Sequence, residues 1–177
     1  MKNTITVLLL FLSISAIYGQ VKKEIENGIF ITFPNEPKYQ VTTQATTYVA
    51  SSENCLFISI VQHNVIPNYP QFLKDKKNWG DEQLKKVEDS FLDNAVKGKL
   101  DYTGNQGEVS DIKVGDFRGR KIEYSAVNPV TGKRGKRYSV ILLVRDRMIS
   151  CDAILNNELP ISAKEKESFL NSITTRP

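Results

Sequence analysis

The chain has 177 residues, and its 24 lysines and arginines exceed its 20 aspartates and glutamates, which gives a formal net charge of +4. A charge this small does not indicate nucleic-acid binding, so no nucleic-acid partner is expected. A single domain of about this length buries roughly 70% of the surface of its unfolded chain, and it needs neither a metal nor a disulfide to form a core.

Residues 1–19 have the pattern of a secretory signal peptide. Lys2 supplies the positive start, residues 7–12 (VLLLFL) form an apolar run, and a polar, small-residue segment follows. The run is too short to anchor the chain in a bilayer, and no later stretch is long and apolar enough to span one. The pattern predicts cleavage after Gly19, with Ala16 as the alternative, and export to a periplasm or out of the cell.

Cys55 and Cys151 are the only two cysteines in the chain. An even count in an oxidising compartment favours a disulfide between them. Because that bridge would close a long loop, it would contribute about 4–5 kcal/mol in the chain-entropy description. The other interpretation is two buried thiols that act as small hydrophobic residues. Neither cysteine has a CxxC partner or a basic neighbourhood that would indicate a catalytic thiol.

The first part of the exported chain is rich in strand signals. After a polar lead-in at 21–27, residues 28–33 (GIFITF) predict a first strand, which Pro34 ends. The Thr-rich segment 39–50 predicts an exposed or edge strand. Residues 55–62 (CLFISIVQ) predict a more buried strand, which forms a hairpin with the Thr-rich one.

The apolar period then changes to that of helices. Residues 70–79 predict a short helix with proline at its first position. Asp81 is expected to cap a second helix, which carries a single narrow apolar stripe and ends at Gly98. A helix with such a stripe lies on the surface and covers one face of a sheet. Ser162 and Glu165 form a capping-box pattern that predicts the start of a terminal helix.

Residues 116–155 organise the predicted fold as three consecutive strands. The middle run, 138–144 (YSVILLV), is apolar on both of its alternating faces, so it must lie inside a sheet that is covered above and below. Together with a strand at 108–114, these elements predict an α+β fold. We expect an antiparallel β-sheet of about six to seven strands covered by helices on both faces, in one domain over residues 20–177.

This order of elements resembles the PsbP-like α-β-α sandwich family of exported plant, cyanobacterial and bacterial proteins. The likeness runs from 28 to 173 and is carried by GIFITFP (28–34), GNQGEVSDIKVGDFRGRKIEYS (104–125), RYSVILLVRDRMISCDAIL (137–155) and SFLNSI (168–173). It is a likeness of strands and turns without a chemical motif. The resemblance implies a non-enzymatic accessory protein that binds a larger assembly, and it assigns no binding residue.

Signatures of known catalytic sites are missing from the sequence: there is no HExxH, GxSxG, P-loop or GxGxxG. The single histidine, His63, rules out a His-based metal cluster and has the position of an ordinary strand-end residue. Acids on the predicted helices resemble solvating charge more than the carboxylate pair of a glycosidase; they include Asp89, Asp93, Glu165 and Glu167. We therefore expect no catalytic residue, no cofactor and no metal.

Four arginines, Arg118, Arg120, Arg145 and Arg147, are expected at one end of the predicted strands, and we call them the basic patch. Arg118 and Arg120 are two residues apart and share a face. One interpretation is a site for an anionic partner, such as a polysaccharide, a lipid headgroup or an acidic envelope protein. The favoured interpretation is charge that keeps a hydrophobic meander from aggregating.

Three aromatic residues, Tyr69, Phe72 and Trp79, cluster around the first predicted helix. A helix laid on a sheet can leave an apolar pocket between the two layers, although core packing is the more common role of such residues. The sequence thus predicts an exported, non-enzymatic accessory or binding protein of unspecified partner and oligomeric state. The alternatives are a carrier with a small apolar pocket under this helix and, third, a hydrolase with a carboxylate pair.

Overall fold

The structure, a computed structural model, describes residues 19–104, 106–128 and 132–176. The predicted signal peptide, residues 1–19, lies outside the described residues except for Gly19. In the described part of the chain, no helix has the length and apolar character that crossing a bilayer requires.

Ten strands and three α-helices make up the described fold. The strands are β1 (Val21–Glu26), β2 (Ile29–Phe33), β3 (Lys38–Val41), β4 (Ala45–Ser51), β5 (Cys55–Gln62), β6 (Glu108–Val114), β7 (Phe117–Val127), β8 (Arg134–Val144), β9 (Arg147–Leu155) and β10 (Thr174–Thr175). The helices are α1 (Tyr69–Lys76), α2 (Asp81–Leu100), which continues into a 3-10 turn at Asp101–Thr103, and α3 (Pro160–Asn171).

The strands form two antiparallel sheets. The larger has seven strands in the order β3-β4-β5-β9-β8-β7-β6, and the smaller has the order β1-β2-β10. Neighbouring pairs in both sheets are antiparallel. The predicted α+β class and the antiparallel sheet of six to seven strands are therefore confirmed, and a second, smaller sheet is added to them.

Residues 138–144 of β8 are all buried, as predicted. Val140 and Leu142 belong to one apolar cluster together with Phe33 of β2 and residues of α3. Ile141 belongs to a second cluster, to which α2 contributes Leu92. Because the first cluster includes the small sheet as well as α3, the predicted cover of helices on both faces is not confirmed.

Two segments near the start of the chain differ from the sequence-based expectation. The polar lead-in at 21–27 is strand β1, which pairs with β2 and buries Ile25. The Thr-rich segment is a hairpin of two strands, β3 and β4, and not a single strand. The reversal is made by Thr42, whose Oγ1 accepts a hydrogen bond from the Ala45 backbone N–H at 3.0 Å. Such side-chain to backbone bonds stabilise turns, and sequence periodicity does not reveal them.

The helix termini also differ from the predictions. α2 begins at Asp81, but Gly80 occupies the capping position, and the helix passes Gly98 to end at Leu100. The buried side chain of Leu100 continues the apolar stripe by another turn, which outweighs the tendency of glycine to end a helix.

The predicted capping box at Ser162 and Glu165 does not form, because the N-cap of α3 is Leu159, three residues before Ser162. Ser162 Oγ instead donates a hydrogen bond to Asn157 Oδ1. Glu165 accepts hydrogen bonds from Asn54 Nδ2 at 3.0 Å and from the Ser52 hydroxyl, so it ties α3 to the β4–β5 turn.

The predicted disulfide between Cys55 and Cys151 is absent, and both cysteines are free and buried. They lie on neighbouring strands, but Cys55 pairs with Leu155 and Cys151 pairs with Ser59. An offset of four positions separates their Cα atoms by about 13 Å, whereas a disulfide requires about 4.4–6.8 Å. The alternative interpretation, two buried thiols, matches the structure.

Candidate functional site

Two arginines of the basic patch, Arg118 and Arg120, fasten β7 to α2. The buried Arg120 places Nη2 2.8 Å from Asp89 Oδ1 and 2.9 Å from Asp93 Oδ1, and Nη1 lies 3.1 Å from Asp111 Oδ1. Arg118 Nη2 donates to Asp89 Oδ1 at 2.7 Å. Residues two apart on a strand share a face, and so do residues four apart on a helix. The two arginines of β7 therefore lie opposite the two aspartates of α2. Acids of α2 and β6 therefore neutralise the charges of Arg118 and Arg120.

Asp89 is the hub of this ion-pair network. Burial by itself would raise the pKa of Asp89, but hydrogen bonds from Arg120, Arg118 and Lys85 outweigh burial and hold the pKa well below its ordinary value. The same network raises the pKa of Arg120 against the effect of burial. A general acid in glycoside hydrolysis needs a carboxyl pKa that is raised. Asp89 is shifted in the opposite direction.

The other two arginines of the basic patch have different surroundings. Arg147 Nε lies 3.7 Å from Glu26 Oε2 of β1, and β1 packs on the face of the sheet opposite α2. Arg145 adopts a left-handed conformation, with φ of 57°, in the β8–β9 turn. Its Nη1 donates to the Asn27 carbonyl at 2.9 Å, and its guanidinium lies 5.8 Å from the Phe117 ring centroid.

The predicted basic patch is therefore not one continuous surface, because the sheet separates Arg147 from Arg118 and Arg120. Among the four arginines, and considering the described carboxylates, Arg145 alone has none within 4.0 Å of its nitrogens. Sequence reasoning missed the partners because Asp89 and Arg120 are 31 residues apart.

A cavity of about 200 Å³ lies between α1 and the large sheet, and we call it the α1 cavity. Arg118 and Arg145 both line it, whereas Arg120 and Arg147 do not. Its apolar lining consists of Ile66, Tyr69, Phe72, Phe117 and Leu143. The cavity thus joins part of the basic patch to the aromatic cluster that the sequence placed at the first helix.

The three aromatic residues around α1 are in contact, but they have different roles. The rings of Tyr69 and Phe72 are stacked at a centroid distance of 5.8 Å, and both line the α1 cavity. Trp79 packs edge-on against Phe72 at 5.4 Å from outside the lining. Trp79 therefore supports the aromatic wall without being part of it.

Helix α1 covers the cavity without being part of the core. None of its residues is buried, and Leu73 is exposed. The chain reaches the helix through Asn64 and Asn68, which both have positive φ, and the buried Ile66 between them holds the segment against the sheet. A helix attached in this way leaves space beneath it because its own side chains do not fill the layer.

Charge in the α1 cavity is positive in balance. Lys76, Arg118 and Arg145 face two acids, Glu88 and Asp116. Glu88 lies 3.6 Å from Arg118 Nε and 4.0 Å from Lys76 Nζ, so its charge is shared between those two side chains. Of the three cations, Arg145 alone has no described carboxylate within 4.0 Å of its nitrogens.

A larger cavity of about 540 Å³ lies where the 3-10 turn meets β6, β7 and β8. Its lining is mainly polar and includes two cations: Lys136 is bound to Glu123 at 2.7 Å, and Arg134 Nη1 donates to the Ser125 carbonyl at 3.3 Å. The one aromatic ring in its lining, Tyr124, has the Arg137 guanidinium 5.8 Å from its centroid. This cavity has no apolar wall, and its two acids, Glu108 and Glu123, balance its two cations, so we do not regard it as the ligand site.

A second buried ion pair, between Lys99 of α2 and Asp152 of β9, lies outside the α1 cavity. Lys99 Nζ donates to Asp152 Oδ1 and Oδ2 at 2.7 and 2.9 Å. Ser139 Oγ also donates to Asp152 Oδ1, and Ser150 Oγ donates to Oδ2 at 3.2 Å. The Asp152 carboxylate thus accepts hydrogen bonds from α2, β8 and β9, and the cluster connects α2 to the sheet.

In the described ranges, no group of three histidine, cysteine, aspartate or glutamate side chains is placed to bind a metal ion. His63 follows β5 directly, and its Nε2 lies 3.3 Å from Thr46 Oγ1. Both thiols are unsuited to nucleophilic chemistry, because burial raises the pKa of Cys55 and of Cys151 to about 12.

Comparison with known proteins adds little to this description. No protein-family model matches the chain, and no curated protein matches it. A crystal structure of a protein from Bacteroides thetaiotaomicron is 13% identical, with a TM-score of 0.47, over 89% of this chain and 49% of that chain. The chain thus spans about half the length of that protein. A likeness this weak supports no inference, and the PsbP-like resemblance stays a prediction from the sequence.

Proposed function

We propose that this chain is an exported binding protein that performs no catalysis of its own, and that its ligand lies in the α1 cavity. The observation that carries the proposal is the position of Arg145. Arg145 lines a cavity with aromatic walls, and no described carboxylate lies within 4.0 Å of its nitrogens. Such a cation can bind an anionic group through charge-assisted hydrogen bonds, while the aromatic wall receives an apolar body.

The size and lining of the α1 cavity define the ligand class. Its volume of about 200 Å³ is below the roughly 300–1,000 Å³ that is typical of sites for drug-sized molecules. The proposed ligand is therefore a small monoanion with an apolar body, such as a medium-chain or aromatic carboxylate.

An accessory role is the second candidate, in which the basic patch binds an envelope protein or another anionic macromolecule. Three of the four arginines are already in ion pairs with described carboxylates, which leaves Arg145 as the available charge. A hydrolase is third, and the lowered pKa of Asp89 argues against a carboxylate that acts as a general acid.

Architecture and location are part of the same proposal. Export rests on the signal-peptide pattern of residues 1–19. Helical cover of both faces, as in a PsbP-like sandwich, is supported by α2 residues in one apolar cluster and α3 residues in the other. An exported carrier and an exported accessory protein are both compatible with such a layered fold.

The proposal is tested by thermal unfolding of the exported chain with octanoate and benzoate, and with the uncharged octanol and benzyl alcohol. A ligand that binds only the folded state raises Tm, so at least one carboxylate should raise it more than its alcohol does. Arg145→Gln should weaken carboxylate binding about tenfold or more, the expected effect of losing a hydrogen bond to a charged group. Arg147→Gln is the matched control, since Arg147 lies outside the cavity.

Two results would contradict the proposal. One is the absence of any Tm increase with the carboxylates, and the other is an equal increase in wild type and Arg145→Gln. Native mass spectrometry of protein purified from the envelope fraction provides an independent readout. A bound small anion that Arg145→Gln loses supports the proposal, whereas a captured macromolecule bound equally well by Arg145→Gln supports the accessory role instead.

A further inference from the structure

The two edges of the seven-stranded sheet are protected to different degrees. At one edge, β6 carries three charged residues, Glu108, Asp111 and Lys113, which discourage pairing with another strand. At the other edge, all four residues of β3 are exposed, and only one of them is charged. Tyr39 and Val41 of β3 are 70% and 63% exposed. An uncovered edge of this kind is a template for a further strand.

Backbone hydrogen bonds determine which residues of β3 point outward. Thr42 donates its backbone N–H to the Ala45 carbonyl at 2.8 Å, so the backbone groups of Thr42 face β4. Because antiparallel pairs alternate between hydrogen-bonded and non-hydrogen-bonded positions, Gln40 also faces β4. Tyr39 and Val41 then direct their backbone N–H and C=O groups away from the sheet.

The hydrogen bonds of β4 agree with this alternation. His63 donates its backbone N–H to the Gln44 carbonyl at 2.8 Å, so the backbone groups of Gln44 face β5. The same parity makes those of Thr46 face β5, and Thr46 is the residue paired with Val41. The outward orientation of Val41 therefore follows from both sides of the hairpin.

We infer that β3 pairs with β3 of a second copy of this chain, antiparallel, about a two-fold axis at Gln40. This register places Tyr39 opposite the second copy's Val41, so that two outward-facing residues exchange both backbone hydrogen bonds. The two-fold axis repeats the exchange with Val41 opposite the second copy's Tyr39. An axis at Tyr39 would instead place Val41 opposite Pro37, which has no N–H to donate.

Side chains favour the same register. Tyr39 and Val41 share a face of β3. Each half of the two-fold dimer therefore gains a cross-strand pair of an aromatic and a β-branched side chain. The Tyr39 ring already lies 6.0 Å from the ring of Tyr48, which packs on the apolar cluster. Lys38 falls opposite the second copy's Thr42, so the pairing brings no like charges together. The interface is isologous and closes as a dimer.

Cysteine cross-linking tests the register directly. In this dimer, two copies of Gln40 form a non-hydrogen-bonded pair with Cα atoms about 4.5 Å apart, which is within the range for a disulfide. Gln40→Cys should therefore give a covalent dimer on mild oxidation. Lys38→Cys is the matched control on the same strand and face, since its two copies are offset by four positions, or about 13 Å. Equal cross-linking of the two variants, or none at Gln40→Cys, would overturn the inference.

A second pair of variants tests the hydrogen bonds. Val41→Pro removes the outward N–H, and proline is tolerated on an edge strand at such a position. In the Gln40→Cys background it should reduce the cross-linked fraction about tenfold or more, because two intermolecular hydrogen bonds are lost. Val41→Lys leaves the backbone unchanged and should also reduce the cross-linked fraction. Circular dichroism establishes that each variant folds, and undiminished dimerisation of folded Val41→Lys and Val41→Pro would contradict the pairing.

Discussion

Asp89 accepts hydrogen bonds from three basic side chains, and its ionised form is the one that this network binds. Because the pKa of Asp89 is lower in the folded chain than in the unfolded chain, the ionised carboxylate stabilises the fold above the ordinary carboxyl pKa of about 4. This contribution is lost as the pH falls through the folded-state pKa. Asp89 is thus a structural residue whose effect on stability depends on pH.

Replacing Asp89 with asparagine should lower the free energy of unfolding at pH 7 by about 1.5–3 kcal/mol, the usual contribution of hydrogen bonds to charged groups. The difference from wild type should shrink below pH 4, where the wild-type carboxylate begins to lose its advantage. Urea unfolding at pH 7 and pH 3 measures both values. Glu82→Gln, on the exposed first turn of the same helix, is the control, and an equal loss in both variants would contradict the assigned role.

Both thiols should be unreactive in the folded protein, because burial raises the pKa of Cys55 and of Cys151 to about 12. A thiol reagent at neutral pH should label neither cysteine until guanidinium unfolds the chain, and then it should label both. Lys38→Cys supplies an exposed thiol as a positive control. A mass increase of two hydrogen atoms on reduction would contradict the structure, since it would show that a disulfide had been present.

The ion pair between Lys99 and Asp152 has a structural role in the contact between two elements. Their ion pair joins α2 to β9 at a point where Asp152 is buried. A buried pair contributes little net stability relative to apolar residues, but removing one partner leaves an uncompensated charge. The pair therefore holds α2 in one position on the sheet.

Lys99→Met should lower the free energy of unfolding by about 3–5 kcal/mol, because it leaves Asp152 charged and buried without its cation. Lys99→Met with Asp152→Asn should recover part of this loss, since the buried charge is gone. Lys97→Met, on the same helix but exposed, should change stability by less than about 0.5 kcal/mol. Denaturant unfolding of the three proteins makes the comparison, and equal losses from Lys97→Met and Lys99→Met would refute the role of the pair.

Elements with a strong local pattern were predictable from the sequence, and features that depend on distant partners were not. The apolar run 138–144 and the strand GIFITF were identified because alternation and burial are local signals. The hairpin within 39–50 was missed because Thr42 makes its turn through a side-chain hydrogen bond. The capping box at Ser162 was wrong because both of its side chains bind other elements.

For the candidate site, too, local features were predictable from the sequence and distant partners were not. The sequence indicated a pocket under the first helix only as the less common role of Tyr69 and Phe72, and both residues line the α1 cavity. The four arginines were found as residues, but the sequence did not reveal that the sheet separates Arg147 from Arg118 and Arg120. Arg118 and Arg120 are neutralised by acids of α2, and no local pattern reveals which carboxylates will lie opposite a strand once it folds.

For the whole molecule, the proposed dimer edge and the α1 cavity are far apart. β3 is the edge strand, and three strands, β4, β5 and β9, lie between it and β8, which carries Leu143 of the cavity lining. Dimerisation should therefore leave the cavity accessible. Val41→Lys should bind carboxylates with the affinity of the wild type by thermal shift, whereas a loss of binding in this variant would show that the two surfaces are coupled.

The binding claim has a built-in reporter, because Trp79 is the only tryptophan and packs 5.4 Å from Phe72 in the cavity wall. Titration with octanoate, followed by Trp79 fluorescence, tests the central claim most directly. We predict a saturable change in the wild type and in Arg147→Gln, and a curve shifted about tenfold or more to higher concentration in Arg145→Gln. A change that does not saturate, or the same curve for Arg145→Gln as for the wild type, would contradict ligand binding in the α1 cavity.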